Sequence, residues 1–271
     1  MKIGIFDSGL GGLIVAKAIK KLMPEYDYVY LGDTKRVPYG PRSHDTIFEF
    51  TKQGVEYLFE KENCILIIIA CNTSSARALR RIQQEYLPKH WPDRNVIGVL
   101  IPTAEACANY KKVGIIGTLG TISSNTFPIE IKKLNKMTKV FQNPAPMLVP
   151  LAEEGEKVLA KPFLEKYLKP FIKNPRGKAS GEIEALALGC THYPFYKKEI
   201  KKIVGPKVKV LSQDEIVPAK LKEYIKRHPE ISKQLSKNKT TKILLTDLTK
   251  HIQKLSKSWF GPKAKPELIK L

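Results

Sequence analysis

Two cysteines, Cys71 and Cys190, stand where a thiol can do chemistry. Each closes a short apolar run and opens a polar segment, in Ile67-Ile-Ile-Ala-Cys71-Asn72-Thr73 and in Leu186-Ala-Leu-Gly-Cys190-Thr191-His192. A cysteine at such a strand end is the first exposed side chain beyond a buried run, although free cysteine also serves as a small buried hydrophobe. His192 lies two residues from Cys190, and a nearby imidazole lowers a thiol pKa from its ordinary value of about 8.5. Two reactions fit these residue types. A thiolate and a thiol facing opposite sides of one carbon could remove a proton from one face and return one to the other. Alternatively, Cys190 could act as a nucleophile with His192 as its base, which leaves Cys71 unexplained.

Smaller motifs surround the thiols. Asp7-Ser8-Gly9-Leu10-Gly11-Gly12 follows an apolar run and opens a helical pattern, so its backbone N–H groups can face a ligand. It is neither GxGxxG nor a phosphate loop ending in GKS or GKT, and it implies no nucleotide. Asp7 would repel a bound carboxylate, so it suits an amine or a thiol proton, or it caps the helix. Gly32-Asp33 to Pro38-Tyr39-Gly40 makes a rigid loop after another apolar run. Thr118 and Thr121, in Gly117-Thr-Leu-Gly-Thr, could bind a carboxylate or cap a helix. Cys-x-His lacks two further ligands at zinc spacing, and none of the four cysteines forms a CxxC pair. Cys64, expected ahead of its strand, and Cys107, in an Ala-rich helix, read as structural.

These motifs must be held by strands and helices in alternation. β-branched runs predict strands at Lys2–Phe6, Tyr28–Leu31, Ile65–Ala70, Val96–Leu100, Lys112–Ile116, Glu184–Leu188, Val208–Leu211 and Ile243–Thr246. Amphipathic spacing predicts helices over Leu13–Met23, Ser74–Tyr86 and Ser123–Met137. The continuous apolar strands imply an α/β fold of mostly parallel sheets flanked by helices. A faint repeat pairs Lys2–Gly9 with Lys112–Leu119 and the Cys71 segment with the Cys190 segment. Two similar lobes follow, with both thiols in a cleft between them, since ligands in open α/β sheets bind beyond the carboxyl ends of strands. The expected division is residues 1–97 with about 208–271 in lobe one, and 98–207 in lobe two.

The 271 residues carry a net charge of +21, with 20 basic against 7 acidic residues from Lys197 to Leu271. The lysines are scattered along amphipathic patterns without an aromatic-interleaved block, so a solvated surface is expected over a nucleic-acid site. The longest apolar run, Cys64 to Cys71, is far short of the ~20 residues that span a bilayer. MKIGIFDSG lacks the layout of a signal peptide. A cytoplasmic protein with reduced thiols is expected.

In order along the chain, DSGLGG, GDTKRVPYG, ACNTSSA, GTLGT, VPLAEEG and LGCTHYP resemble the motifs of the glutamate racemases, within the cofactor-independent aspartate/glutamate racemase superfamily. The resemblance spans Met1 to about Leu211 and, more loosely, Thr246-Asp247-Leu248. It implies a two-lobed α/β fold with the site between lobes and interconversion of L- and D-glutamate, supplying D-glutamate for bacterial peptidoglycan. It implies neither cofactor nor metal, glutamate as the small-molecule partner, and no membrane partner. Carried over by motif, Cys71 and Cys190 become the paired acid/base thiols. Asp7 would assist Cys71, while His192 and Glu153 would assist Cys190. Asp7, Ser8, Tyr39, Gly40, Asn72, Thr73, Thr118, Thr121, Thr191 and His192 would contact substrate. Two stretches depart from the family. Ala145-Pro146 stands where Cys-Pro is frequent, and Leu100-Ile101-Pro102-Thr103 stands where Ile-Glu-Pro-Gly is usual. They bear on lobe contacts and subunit pairing, and the oligomeric state is left open, a homodimer included.

Overall fold

A computed structural model describes residues 1–172 and 183–271. The first lobe is built on β1 (Lys2–Asp7), β2 (Tyr28–Gly32), β3 (Cys64–Ile69) and β4 (Asn95–Gly98). The second contains β5 (Lys112–Gly117), β6 (Lys139–Pro144), β7 (Ala185–Gly189) and β8 (Lys209–Leu211). The chain then returns to the first sheet with β9 (Thr241–Leu245) and β10 (Pro266–Leu268). The sheet orders are β10-β9-β2-β1-β3-β4 and β6-β5-β7-β8, and every paired neighbour is parallel. Because β8 pairs with β7, the return to the first sheet begins after Leu211, a little beyond the expected residue 208.

Helices cover both faces, which is why the central strands read as unbroken apolar runs. All six residues of β3 are buried. Full burial of each aliphatic side chain is worth about 1.5–3 kcal/mol, so this strand anchors the lobe. Helix Gly12–Leu22 turns Leu13, Val15, Ala16 and Ile19 inward, and its basic residues Lys20 and Lys21 fall in the last turn, where they favour the helix dipole. Helix Gln213–Arg227 packs against helix Gly12–Leu22 of the first lobe and against helix Leu100–Cys107. Among the described residues no helix is long and apolar enough to cross a membrane.

Several elements differ from the expectation. The predicted helix over Ser74–Tyr86 is broken into Asn72–Arg77, Leu79–Arg81 and a wider π turn at Ile82–Tyr86. The predicted Ser123–Met137 helix splits into Leu119–Ser123 and Thr126–Leu134 around Asn125, which adopts φ 54°. Asparagine tolerates that left-handed conformation better than most residues. β4 ends at Gly98, and Leu100 already begins a helix, with Pro102 accommodated in its first turn. β6 and β10 escaped detection because each is an edge strand with few buried residues. Cys64 is the first residue of β3, not a residue ahead of it, and Cys107 ends its helix. Burial pushes both thiols up to about 12, so both stay protonated and inert.

Candidate active site

Strand register alone gathers the motifs. Phe6 pairs with Ile69 across β1 and β3, which sets Asp7 and Ser8 beside Ala70 and Cys71. Gly117 pairs with Gly189 across β5 and β7, which sets Thr118 beside Cys190. The carboxyl ends of the two sheets meet in a cavity of about 400 Å³ lined by both lobes. Ser8, Tyr39, Gly40, Cys71, Asn72 and Thr73 enter it from the first lobe, and Thr118, Glu153, Cys190, Thr191 and His192 from the second. Asp7 and Thr121, expected to contact substrate, do not line this cavity: each lies one layer behind it. A larger groove of about 770 Å³ runs along the first lobe and carries lysines such as Lys17 and Lys263, but none of the motif residues.

The two thiols sit in different electrostatic settings. Cys71 itself caps helix Asn72–Arg77. Its sulfur accepts from the Ser74 N–H at 3.4 Å and from the Ser8 hydroxyl at 3.2 Å. Burial and the charge of Asp7 push this thiol up, and the hydrogen bonds from Ser74 and Ser8 offset part of the rise. Asp7 is buried, and burial raises its own pKa against the pull of His192 and of hydrogen bonds from Gly9, Gly12 and Thr191. Its Oδ1 accepts from the Gly9 N–H at 2.9 Å and its Oδ2 from the Thr191 hydroxyl at 3.3 Å.

Cys190 has a cationic neighbour instead. Its sulfur lies 3.8 Å from His192 Nδ1, and His192 Nε2 meets Glu153 Oε1 at 3.0 Å. Burial would lower the imidazole pKa, but the partnership with Cys190 and Glu153 overrides it and raises the value to about 10. His192 is therefore an imidazolium at neutral pH, and Trp259 from the first lobe meets its ring edge-on at 5.4 Å. Of the two adjacent glutamates in VPLAEEG, Glu153 is the one that reaches the site, and Glu154 lies 4.0 Å from His251.

Hydroxyl contacts join the lobes around the cavity. Thr73 Oγ1 and Thr118 Oγ1 share a hydrogen bond at 2.8 Å, and Thr118 Oγ1 lies 3.1 Å from Thr121 Oγ1. Tyr39 is held by donating its hydroxyl to Asp33, whose other oxygen accepts from Thr246 at 2.8 Å. Pro146, Val149 and Pro150, of which no site role was expected, form an apolar wall of the cavity. The VPLAEEG motif contains two of them. Among the described residues no group of three or more His, Cys, Asp or Glu side chains could hold a metal ion.

Two parallel α/β lobes with a buried thiol at a strand end of each define an α/β enzyme fold with its candidate site in the interlobe cleft. A profile of the Asp/Glu/hydantoin racemases matches residues 13–215, and the chain belongs to that family. It is 40% identical over 266 residues to the glutamate racemase of Aquifex pyrophilus, covering 96% of this chain and 94% of that protein. It is 36% identical to the glutamate racemase of Aquifex aeolicus over 270 residues, 99% of this chain and 97% of that protein. Among solved structures, glutamate racemase isoform RacE1 from Bacillus anthracis superposes with a TM-score of 0.87 at 31% identity, covering 100% of this chain and 97% of that one. The Francisella tularensis glutamate racemase in complex with D-glutamate gives 0.85 at 31% identity, with 99% and 97% covered.

Proposed function

We infer that this protein is a glutamate racemase, interconverting L- and D-glutamate without a cofactor and supplying D-glutamate for peptidoglycan in the cytoplasm. The observation that carries the reading is the pair of thiols, Cys71 and Cys190, entering one cavity from opposite lobes. In the forward sense one thiolate takes the Cα proton, and the C–H electron pair moves into the carboxylate. The opposing thiol then delivers its proton to the other face, leaving the two sulfurs with exchanged protonation states. Hydroxyl and amide groups of Ser8, Asn72, Thr73, Thr118 and Thr191 would hold the substrate and offset the charge that develops on its carboxylate. His192 stands beside Cys190, with Glu153 fixing the ring. Burial and the Asp7 charge favour the protonated form of Cys71.

The test is optical rotation during incubation of either enantiomer with the metal-free protein. Loss of rotation from both L- and D-glutamate is expected, with aspartate a much poorer substrate, because its shorter side chain leaves site donors unpaired. No change of rotation with glutamate, or comparable specificity constants for both amino acids, would contradict the reading. The Cys190–His192–Glu153 line also has the form of a nucleophile, base and orienting acid, which favours a cysteine hydrolase as the second reading. A thioester trapped on Cys190 would support that alternative.

A further inference from the structure

We propose that Gln213 is a positioning residue for the site, fixing which way round the Asn72 side-chain amide stands in the cavity. The inference rests on the reading of that cavity as a substrate site. Gln213 opens helix Gln213–Arg227, just after β8, where the chain leaves the second sheet for the first. It is fully buried, as is Thr103 in helix Leu100–Cys107 at the other passage between the sheets. Asn72 follows Cys71 directly and lines the cavity.

The Gln213 and Asn72 amides face each other reciprocally. Asn72 Nδ2 donates to Gln213 Oε1 at 2.8 Å, and Gln213 Nε2 donates to Asn72 Oδ1 at 2.7 Å. Taken alone, such a pair could be reversed, with both amides flipped and both hydrogen bonds kept. Thr103 removes that freedom. Its hydroxyl donates to the Val99 carbonyl at 2.8 Å, so toward Gln213 it can only accept. Gln213 Nε2 lies 3.4 Å from Thr103 Oγ1 and supplies the matching N–H. A carbonyl on the backbone of the first passage thus dictates the polarity of Thr103, then of Gln213, then of Asn72. Both Gln213 N–H groups are consumed in this chain. Asn72 keeps one N–H and one lone pair uncommitted by it, with their positions fixed, for a ligand carrying both a carboxylate and an ammonium.

The tie has a second consequence. It links the residue after Cys71 to the start of the helix that spans the lobes, so lobe angle and Asn72 orientation are set together. Losing it would leave buried amide groups unpaired and let Asn72 turn, which costs substrate binding more than proton transfer.

The test compares Gln213→Leu and Gln213→Glu with the wild type. Gln213→Leu is expected to raise KM for both glutamate enantiomers roughly tenfold, the loss of about one well-placed hydrogen bond, while kcat falls less. In Gln213→Glu the ionised carboxylate accepts from Asn72 but cannot donate. Once protonated, it can do both and restores the reciprocal pair. Its kcat/KM relative to wild type should therefore rise as pH falls, whereas the ratio for Gln213→Leu should stay flat. A role confined to packing would give two flat ratios and would overturn the proposal, as would KM values within twofold of wild type in Gln213→Leu. If that variant does not fold, Thr103→Val must raise KM instead, since it releases the anchor while keeping the volume.

A measurement independent of turnover completes the test. In the 15N-labelled protein one Asn72 side-chain amide proton should exchange slowly with solvent, and Gln213→Leu, which removes its acceptor, should weaken its protection. Fast exchange of both protons in the wild type would overturn the proposal. Absent racemisation in the wild type would refute only the functional reading.

Discussion

Thr191 donates its hydroxyl to Asp7 Oδ2 at 3.3 Å, so the residue beside one thiol rests on the carboxylate that governs the other. The crossing point is tight. A Cβ built at Gly11 would lie 2.4 Å from Thr191 Oγ1 and 2.5 Å from His192 Nδ1, far inside van der Waals contact.

Gly11→Ala is therefore expected to hurt activity more than stability. The backbone at Gly11 is right-handed, with φ −57°, so alanine is conformationally acceptable there and only the close approach is lost. Displacing Thr191 and His192 by about 1 Å should lower kcat/KM on the order of a hundredfold. The thermal midpoint should fall by only a few degrees, the usual effect of a ~1 kcal/mol loss at this size. Full activity in Gly11→Ala would contradict the packing described.

Asp7→Asn should shift the titration of Cys71 to lower pH. Burial raises this thiol whichever residue stands at 7, and the Asp7 charge adds to the rise. The measurement is the pH dependence of alkylation in a Cys190→Ala background, where Cys64 and Cys107 are shielded by burial. An unchanged midpoint, or a higher one, would show that Asp7 does not hold Cys71 protonated.

His192 ties stability to pH at the alkaline end. Its folded pKa is raised to about 10 against about 6.5 in the unfolded chain. The imidazolium therefore contributes stability that is fully present below about 6.5 and is lost as pH rises through about 10. Between pH 7 and 10 the wild type should lose more thermal stability than His192→Gln, in which this group is absent. Equal slopes for the two proteins would contradict the raised imidazole pKa that Cys190 and Glu153 hold.

Asp27 acts at the acid end. It is buried and accepts from Asn238 and Thr240 through four hydrogen bonds, among them the Thr240 N–H at 2.8 Å. Burial opposes ionisation, but hydrogen bonds from Ser236, Thr240 and Asn238 prevail and hold the carboxyl well below the usual range. Its stabilisation is present above the unfolded value of about 3.9 and is lost as pH falls further. Asp27→Asn should lower the melting temperature at pH 7 and flatten its decline in acid. An unchanged acid limb would contradict this.

The residues that could be read from sequence were those whose meaning is local. Cys71 and Cys190 each close an apolar strand, and a strand end is a place where side chains emerge, so their convergence followed from a repeated pattern. His192 and Glu153 came from motif resemblance, and the 3.0 Å contact joins residues 39 positions apart that spacing could not have paired. Gln213 carried no signal. It is one glutamine at a helix start, and its role comes from Asn72, 141 residues away. The edge strands β6 and β10 were invisible because an edge needs little burial, and Asn125 broke a helix whose apolar spacing ran straight through it. The depth of Asp7 and Thr121 behind the cavity wall depends on how two sheets meet, which no local pattern encodes.

The central claim is that each thiol serves one face of the substrate, and removal of one thiol at a time tests it most directly. Cys71→Ala and Cys190→Ala should each fold as the wild type does, since alanine is smaller and leaves the strand ends intact. Each should lose racemisation of L- and D-glutamate by a factor of at least about a thousand, because one face then lacks its acid or base. Wild-type product formed in heavy water should carry solvent deuterium at Cα. Racemisation by either variant within about tenfold of the wild-type rate would contradict a mechanism in which Cys71 and Cys190 work as a pair.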